Sequence, residues 1–214
     1  MEITTVIINF QTPDYLNTAV NSFCSEYPDI PVLIIDNGSR DNSKEMITRL
    51  QTKWPNVEAE FLDDNIYHGP AMNKAAIELV KTKYIFFLDS DTETLKGGFI
   101  EEMYSLLQEN KVYAVGELNQ VNERGFQTTD GNITILQTPY MLLDRELYSG
   151  FKPFIHHGQP TMFNYRDAWE KGYELRSFPV SKYIYHKWRG TAERFGYGLG
   201  LKGKLDFVLN KLGL

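Results

Sequence analysis

Four β-prone apolar runs punctuate the first ninety residues, and each gap between them carries apolar residues at helical spacing. The runs are TTVIINF (Thr4–Phe10), PVLIID (Pro31–Asp36), VEAEFL (Val57–Leu62) and YIFFL (Tyr84–Leu88). In the first gap, Thr12 offers an N-cap and Pro13 takes the first helical position, ahead of Leu16, Ala19, Val20, Phe23 and Tyr27. In the second, the turn-rich NGSRDNS leads to a helix with Met46, Ile47, Leu50 and Trp54 on one face. In the third, GPAMNKAAIELVKTK (Gly69–Lys83) stripes Met72, Ala75, Ala76, Leu79 and Val80. Strand and helix in strict alternation predict an α/β fold, a mainly parallel central sheet with helices on both faces.

Ligands of such sheets bind beyond the carboxyl ends of the strands. Three of the runs deliver polar groups there: Asn9, Phe10 and Gln11 after the first, Asp36 and Asn37 after the second, Asp89 and Asp91 after the fourth. Carboxylates at i and i+2 near a strand end can turn to one side. Two hard oxygen donors suit Mg²⁺ or Mn²⁺, which keep coordination positions open for substrate phosphates. A solvated acidic turn is the plain alternative, and it is the convergence of three strand ends that favours a site. No GxxxxGK[ST] phosphate loop is present, which sets aside a nucleoside triphosphatase. GLGLKG (Gly198–Gly203) fits GxGxxG but follows no strand, so it reads as a loop.

The second half changes character. A helix is predicted over Phe99–Gln108, strands over VYAVGEL and GFQTTDGNITIL with a hairpin turn at Asp130-Gly131, and a helix over Met162–Lys171. Tyr140, Trp169 and Trp188 read as core residues rather than sugar platforms. GKLDFVLNKLGL forms an amphipathic tail whose Leu205, Val208, Leu209 and Leu212 pack on the domain or give peripheral membrane contact. No linker or repeat divides the 214 residues, so a single domain is expected, in three stretches: 1–91, 92–200 and a tail, 201–214.

A net charge of −6 speaks against a nucleic-acid partner. One cysteine, Cys24, cannot form an internal disulfide and points to a reducing compartment. No apolar run reaches transmembrane length and MEITTVIINF lacks a basic leader, so the expected location is cytoplasmic, at the inner membrane face if the tail makes contact. Glycosylation-like triplets at Asn37 and Asn132 carry no weight there.

VIINFQTPDYL, LIIDNGSRDNS, NIYHGPAMNKA and YIFFLDSDTE, in that order, resemble the consecutive blocks of family 2 glycosyltransferases of GT-A fold. LLDRELYSGF and the late histidine of YIYHKWRGT extend the resemblance over roughly residues 3 to 191. The resemblance implies inverting transfer from a nucleotide diphospho-sugar, UDP-linked by preference, to a glycan, lipid-linked or other hydroxyl acceptor, with Mg²⁺ or Mn²⁺. It implies that Asn9, Phe10 and Gln11 meet the nucleotide and that Phe10 stacks on the base. Asp36 and Asn37 fall where the family bonds base or ribose. Asp89 and Asp91 match its DXD motif, with Asp91 the metal ligand and Asp89 near the ribose, sugar or metal. His186 stands where a late metal ligand lies, and Arg189 where the diphosphate is reached. His68 either faces the donor phosphates or caps the next helix.

One block departs. Where many members carry a Glu-Asp pair whose second acid is the catalytic base, this chain has FIHHGQPT, a form found with RGT in a small subgroup. Histidine, with an ordinary pKa of about 6.5, can take the acceptor proton near neutrality, so His157, backed by His156, is the expected base. Two rivals stand against this reading. A zinc hydrolase built from His68, His156, His157, His186 and Asp91 lacks HExxH and cysteine clusters. A non-catalytic member would bind nucleotide sugar or glycan without turnover. Nucleotidyl transfer to a sugar phosphate would need a glycine- and lysine-bearing loop that NFQTPDY does not supply.

Overall fold

A computed structural model describes residues 1–129, 131–155 and 159–187. Strands β1 (Ile3–Asn9), β2 (Val32–Asn37), β3 (Val57–Leu62) and β4 (Tyr84–Asp89) run parallel in the order β3-β2-β1-β4. Helices α1 (Pro13–Glu26), α2 (Ser43–Lys53) and α3 (His68–Lys74) connect them. Beyond β4 come β5 (Thr92–Thr94), α4 (Phe99–Leu107), β6 (Val112–Val121), β7 (Ile133–Asp144), α5 (Arg145–Tyr148), α6 (Met162–Glu170), β8 (Glu174–Ser177) and β9 (Ile184–His186). The sheet continues as β4-β7-β6-β8, with β7 antiparallel to both neighbours; β5 and β9 form a separate antiparallel pair.

Alternation along the strands feeds two cores. Ile3, Ile7, Ile34, Phe86 and Leu88 face α1, α2 and α4 through Leu16, Phe23, Ile47, Leu50, Phe99 and Met103. Val6, Ile8, Ile35, Ile85 and Phe87 face α3 and α6 through Ala71, Met72, Met162 and Tyr165. A strand covered on both sides has no polar face, which is why these runs are continuously apolar. Phe86, fully buried with Phe23 and Phe99 at centroid distances of 6.0 and 5.7 Å, contributes on the order of 1.5–3 kcal/mol by burial.

Four local readings need correction. The helix expected to Lys83 stops earlier: after α3, a π-helical turn spans Ala75–Leu79, with Val80 N–H donating to Ala75 O at 2.9 Å. The wider turn lets Val80 join Ala75 and Ala76 in the core before the chain enters β4. Thr12 is the N-cap of α1 by position, yet its hydroxyl makes no cap and donates to Asn9 Oδ1 instead, at 3.0 Å. GFQTTD does not form a strand: among the described residues an isolated Val121–Gln127 bridge precedes β7, which starts at Ile133, and the turn expected at Asp130-Gly131 falls on a residue outside the described ones. Pro139 lies inside β7, where it cannot donate to the ladder; a register shift between Gly116 and Leu118 absorbs it, and Tyr140, Met141, Leu142 and Leu143 alternate between the cores. Trp169 is not core: it is 74% exposed, whereas Tyr140 is buried as expected. Among the described residues, no helix is long and apolar enough to cross a membrane. Asp130, Trp188 and the tail 201–214 lie outside the described residues.

Candidate functional site

Strand register lines up the polar ends. Asn9 pairs with Asp36 across β1 and β2, and Ile8 with Asp89 across β1 and β4. The three carboxyl ends therefore form one rim, as the alternation predicts.

At the β1–β2 end, Asn9 and Asp36 are both buried. Asn9 Nδ2 donates to Asp36 Oδ1 at 2.8 Å, and Ser39 donates through its hydroxyl to Oδ1 at 2.6 Å and through its N–H to Oδ2 at 3.2 Å. Ser39 Oγ in turn accepts the Gln11 N–H at 2.9 Å. A carboxylate has about four acceptor sites, so Oδ2 keeps capacity for an incoming donor. Asn37 is the next clamp: its Oδ1 accepts Ile66 N–H at 3.0 Å and its Nδ2 donates to Asn65 Oδ1 at 3.1 Å. Gly38, at φ +75°, permits this closeness, since a Cβ there would lie 2.5 Å from the Asp64 carbonyl carbon. Gln11 (φ 53°) and Tyr67 (φ 71°) also adopt the left-handed region on this rim. Non-glycine residues rarely do, and such strain gathers at functional sites.

At the β4 end the acidic pair meets a histidine. His186, on β9, pairs with Thr92 on β5, and Lys187 N–H donates to Asp91 O at 2.9 Å, bringing the imidazole back over the rim. His186 Nε2 lies 3.2 Å from Asp91 Oδ1, with both side chains under one-tenth exposed. His68 Nε2 lies 3.6 Å from Asp89 Oδ1. Asp89, Asp91 and His186 each offer a ligand atom within 4.8 Å of the others. Burial raises the Asp89 carboxyl above its ordinary range, the His68 charge opposes this, and the Asp91 charge adds to it. Burial alone would lower the His186 imidazole, but its hydrogen bond to Asp91 and the charges of Asp89 and Asp91 hold it above its usual value. Two carboxylates and one imidazole make a mixed oxygen–nitrogen donor set. That set could hold a divalent cation.

The fold thus gathers Asn9, Gln11, Asp36, Asn37, His68, Asp89, Asp91 and His186, with Phe10 half-buried beside them. His68 is not a cap: it is the first residue of α3, the N-cap position is Tyr67, and its ring faces Asp89. His156, His157 and Arg189 lie outside the described residues. Ser39 and Asn65 were missed as organisers. Ser39, three residues after Asp36 in DNGS, carried the signal of an aspartate-led turn; Asn65 carried none beyond its place before the α3 block.

The model of glycosyl transferase family 2 matches residues 4–171. An uncharacterized glycosyltransferase of Nostoc is 31% identical over 116 residues, covering 54% of this chain and 35% of its own. A poly(ribitol-phosphate) beta-glucosyltransferase of Bacillus spizizenii is 24% identical over 147 residues, covering 64% of this chain and 23% of its own. The chain thus spans about a third or less of these two curated relatives' length. Among solved structures, the mannosyltransferase PcManGT from Pyrobaculum calidifontis, in complex with GDP-Man and Mn²⁺, superposes with a TM-score of 0.65 at 14% identity, covering 83% of this chain and 55% of that one. S. aureus TarS 1-349 with UDP-GlcNAc gives 0.64 at 16%, covering 86% and 58%. These likenesses show the shared GT-A fold, and with most of its length matched by the family model, the chain belongs to glycosyl transferase family 2.

Proposed function

We propose that the protein transfers a sugar, with inversion, from a nucleotide diphospho-sugar to a hydroxyl of a glycan, lipid-linked or other acceptor, using Mn²⁺ or Mg²⁺. The observation that carries this is the Asp89–Asp91–His186 cluster standing beside the buried Asn9–Asp36 network on one rim. In this reading residues 1–91 hold the donor, 92–200 meet the acceptor, and the tail 201–214 packs on the domain or touches a membrane surface. UDP is the preferred nucleotide; the similar solved structures hold GDP-Man in one case and UDP-GlcNAc in another.

Asp36 receives a donor N–H or O–H of base or ribose on Oδ2, its other contacts having preorganised it. Phe10 offers a face to the base. Asp91 and His186, with Asp89 alongside, hold the cation, whose chemistry when bound is Lewis-acid stabilisation of the diphosphate leaving group. His68, at the start of α3 and beside Asp89, orients that carboxylate or reaches a phosphate oxygen. Arg189 adds charge at the diphosphate. His157, with His156 behind it, accepts the proton of the acceptor hydroxyl as that oxygen attacks the anomeric carbon.

The test is release of nucleoside diphosphate from UDP-glucose, UDP-GlcNAc and GDP-mannose with Mn²⁺ and a panel of glycan acceptors. Acceptor-stimulated release by the native chain, and its loss by at least 100-fold in His157→Ala with donor binding intact, is the expected result. Donor binding with no turnover under any condition would instead make this a nucleotide-sugar-binding member of the fold.

A further inference from the structure

His186 is delivered to Asp91 by very little secondary structure. Among the described residues β9 pairs with β5 alone, and both are three residues long; a two-stranded pair needs packing around it to be stable. Part of that packing is α1, where Ser22 Oγ accepts Thr94 N–H at 2.9 Å, and part is the core that buries Ile184.

The chain entering β9 is anchored on β6. Phe178 N–H donates to Gly116 O at 2.8 Å, and the 3₁₀ turn Val180–Lys182 is tied down by Ser181 N–H, which donates to Glu117 Oε1 at 2.7 Å. The other oxygen, Glu117 Oε2, accepts the Tyr140 hydroxyl at 3.3 Å. Tyr140 is buried, and its ring meets His186 edge-on, with centroids 6.3 Å apart at 84°. Glu117 sits where the β6–β7 register shifts, between Gly116 and Leu118. Such irregularities re-aim side chains next to active sites. Gly116 lets the strands come close there, since a Cβ would stand 3.1 Å from Tyr140 O. One carboxylate thus holds both the turn before His186 and the ring beside it.

We propose that Glu117 is a positioning residue that fixes β9, and with it His186, against Asp91. Its consequence for the cation rests on the metal reading above; its effect on β9 does not.

The experiment compares Glu117→Met and Tyr140→Phe with the native chain by amide hydrogen exchange and by Mn²⁺ titration. Methionine keeps the side-chain length, but its thioether is only a weak acceptor and carries no donor, so neither the Ser181 nor the Tyr140 bond is replaced. Leu95 N–H donates to Tyr183 O at 2.7 Å and Lys187 N–H to Asp91 O, so these two amides report on β9. In Glu117→Met their exchange should speed up about tenfold, while Ile7 and Ile34 in the central strands hold their native rates. Tyr140→Phe, which keeps the Ser181 bond, should have a smaller effect. Mn²⁺ affinity should fall about 10–100-fold in Glu117→Met, the range seen for residues that orient metal ligands. Unchanged exchange at Leu95 and Lys187, or an equal rise at every amide, would overturn the proposal. If the native chain binds no Mn²⁺, the metal reading fails, and the exchange data still decide the positioning role.

Discussion

Replacing Gly38 by alanine tests how the donor rim is built. Gly38 lies between Asn37 and Ser39, at φ +75°. Alanine in that region costs about 1–2 kcal/mol from its own backbone. Its Cβ would also stand 2.5 Å from Asp64 C, 2.6 Å from Asn65 N and 2.8 Å from Asp64 Cα, all backbone atoms that no rotamer can move. Relieving that overlap means pushing the 64–65 segment away, an overpacking cost of about 1–3 kcal/mol. The expected loss is therefore about 2–5 kcal/mol in urea unfolding. The damage should also be local: Asn65 would leave Asn37 Nδ2, now 3.1 Å away, and the Ile66 N–H bond to Asn37 Oδ1 would loosen. Nucleotide binding should weaken more than stability alone accounts for. A variant within 0.5 kcal/mol of the native chain would refute the close approach and the argument built on it.

Asn9→Ala removes a buried donor to Asp36 and the acceptor of the Thr12 hydroxyl; a loss of about 1–3 kcal/mol in urea is expected, and a neutral result would count against the network. Burial pushes the Cys24 thiol up to about 11, so a thiol reagent at pH 8 should label it only after denaturation; rapid labelling of the native chain would contradict that burial. Mn²⁺ must displace protons from its ligands. Since Asp89 and His186 both hold theirs to higher pH than free side chains do, affinity should climb with pH and still be climbing above 6.5, the ordinary histidine value. A titration that is flat or falling between about pH 5.5 and 8 would show that these groups are not the ligands.

The parallel half was legible because burial on both faces writes itself into composition: VIIN, VLIID and YIFFLD contain almost nothing that water would favour. The rim followed, since strand ends in a parallel sheet share one side, and Asn9, Asp36 and Asp89 did fall into adjacent registers. β7 was illegible for the opposite reason: Pro139 contradicts a strand locally, and only its partners β4 and β6 override it. The π turn after α3 was hidden because Ala75, Ala76 and Val80 satisfy an ordinary helical stripe equally well. His186 could be matched to a family position, but nothing in its neighbours said that Glu117 and Tyr140 would hold it. Those contacts cross three separate stretches of chain, and no periodicity encodes them.

We infer that Asp91 and His186 hold a divalent cation against a nucleoside diphosphate on this rim. Calorimetric titration of UDP, GDP, CDP and dTDP into the protein, with and without Mn²⁺ and beside Asp91→Ala, tests it most directly. The account predicts that one nucleotide binds, that Mn²⁺ strengthens it at least tenfold, and that Asp91→Ala removes the Mn²⁺ effect. Binding that ignores Mn²⁺, or that survives unchanged in Asp91→Ala, would contradict it.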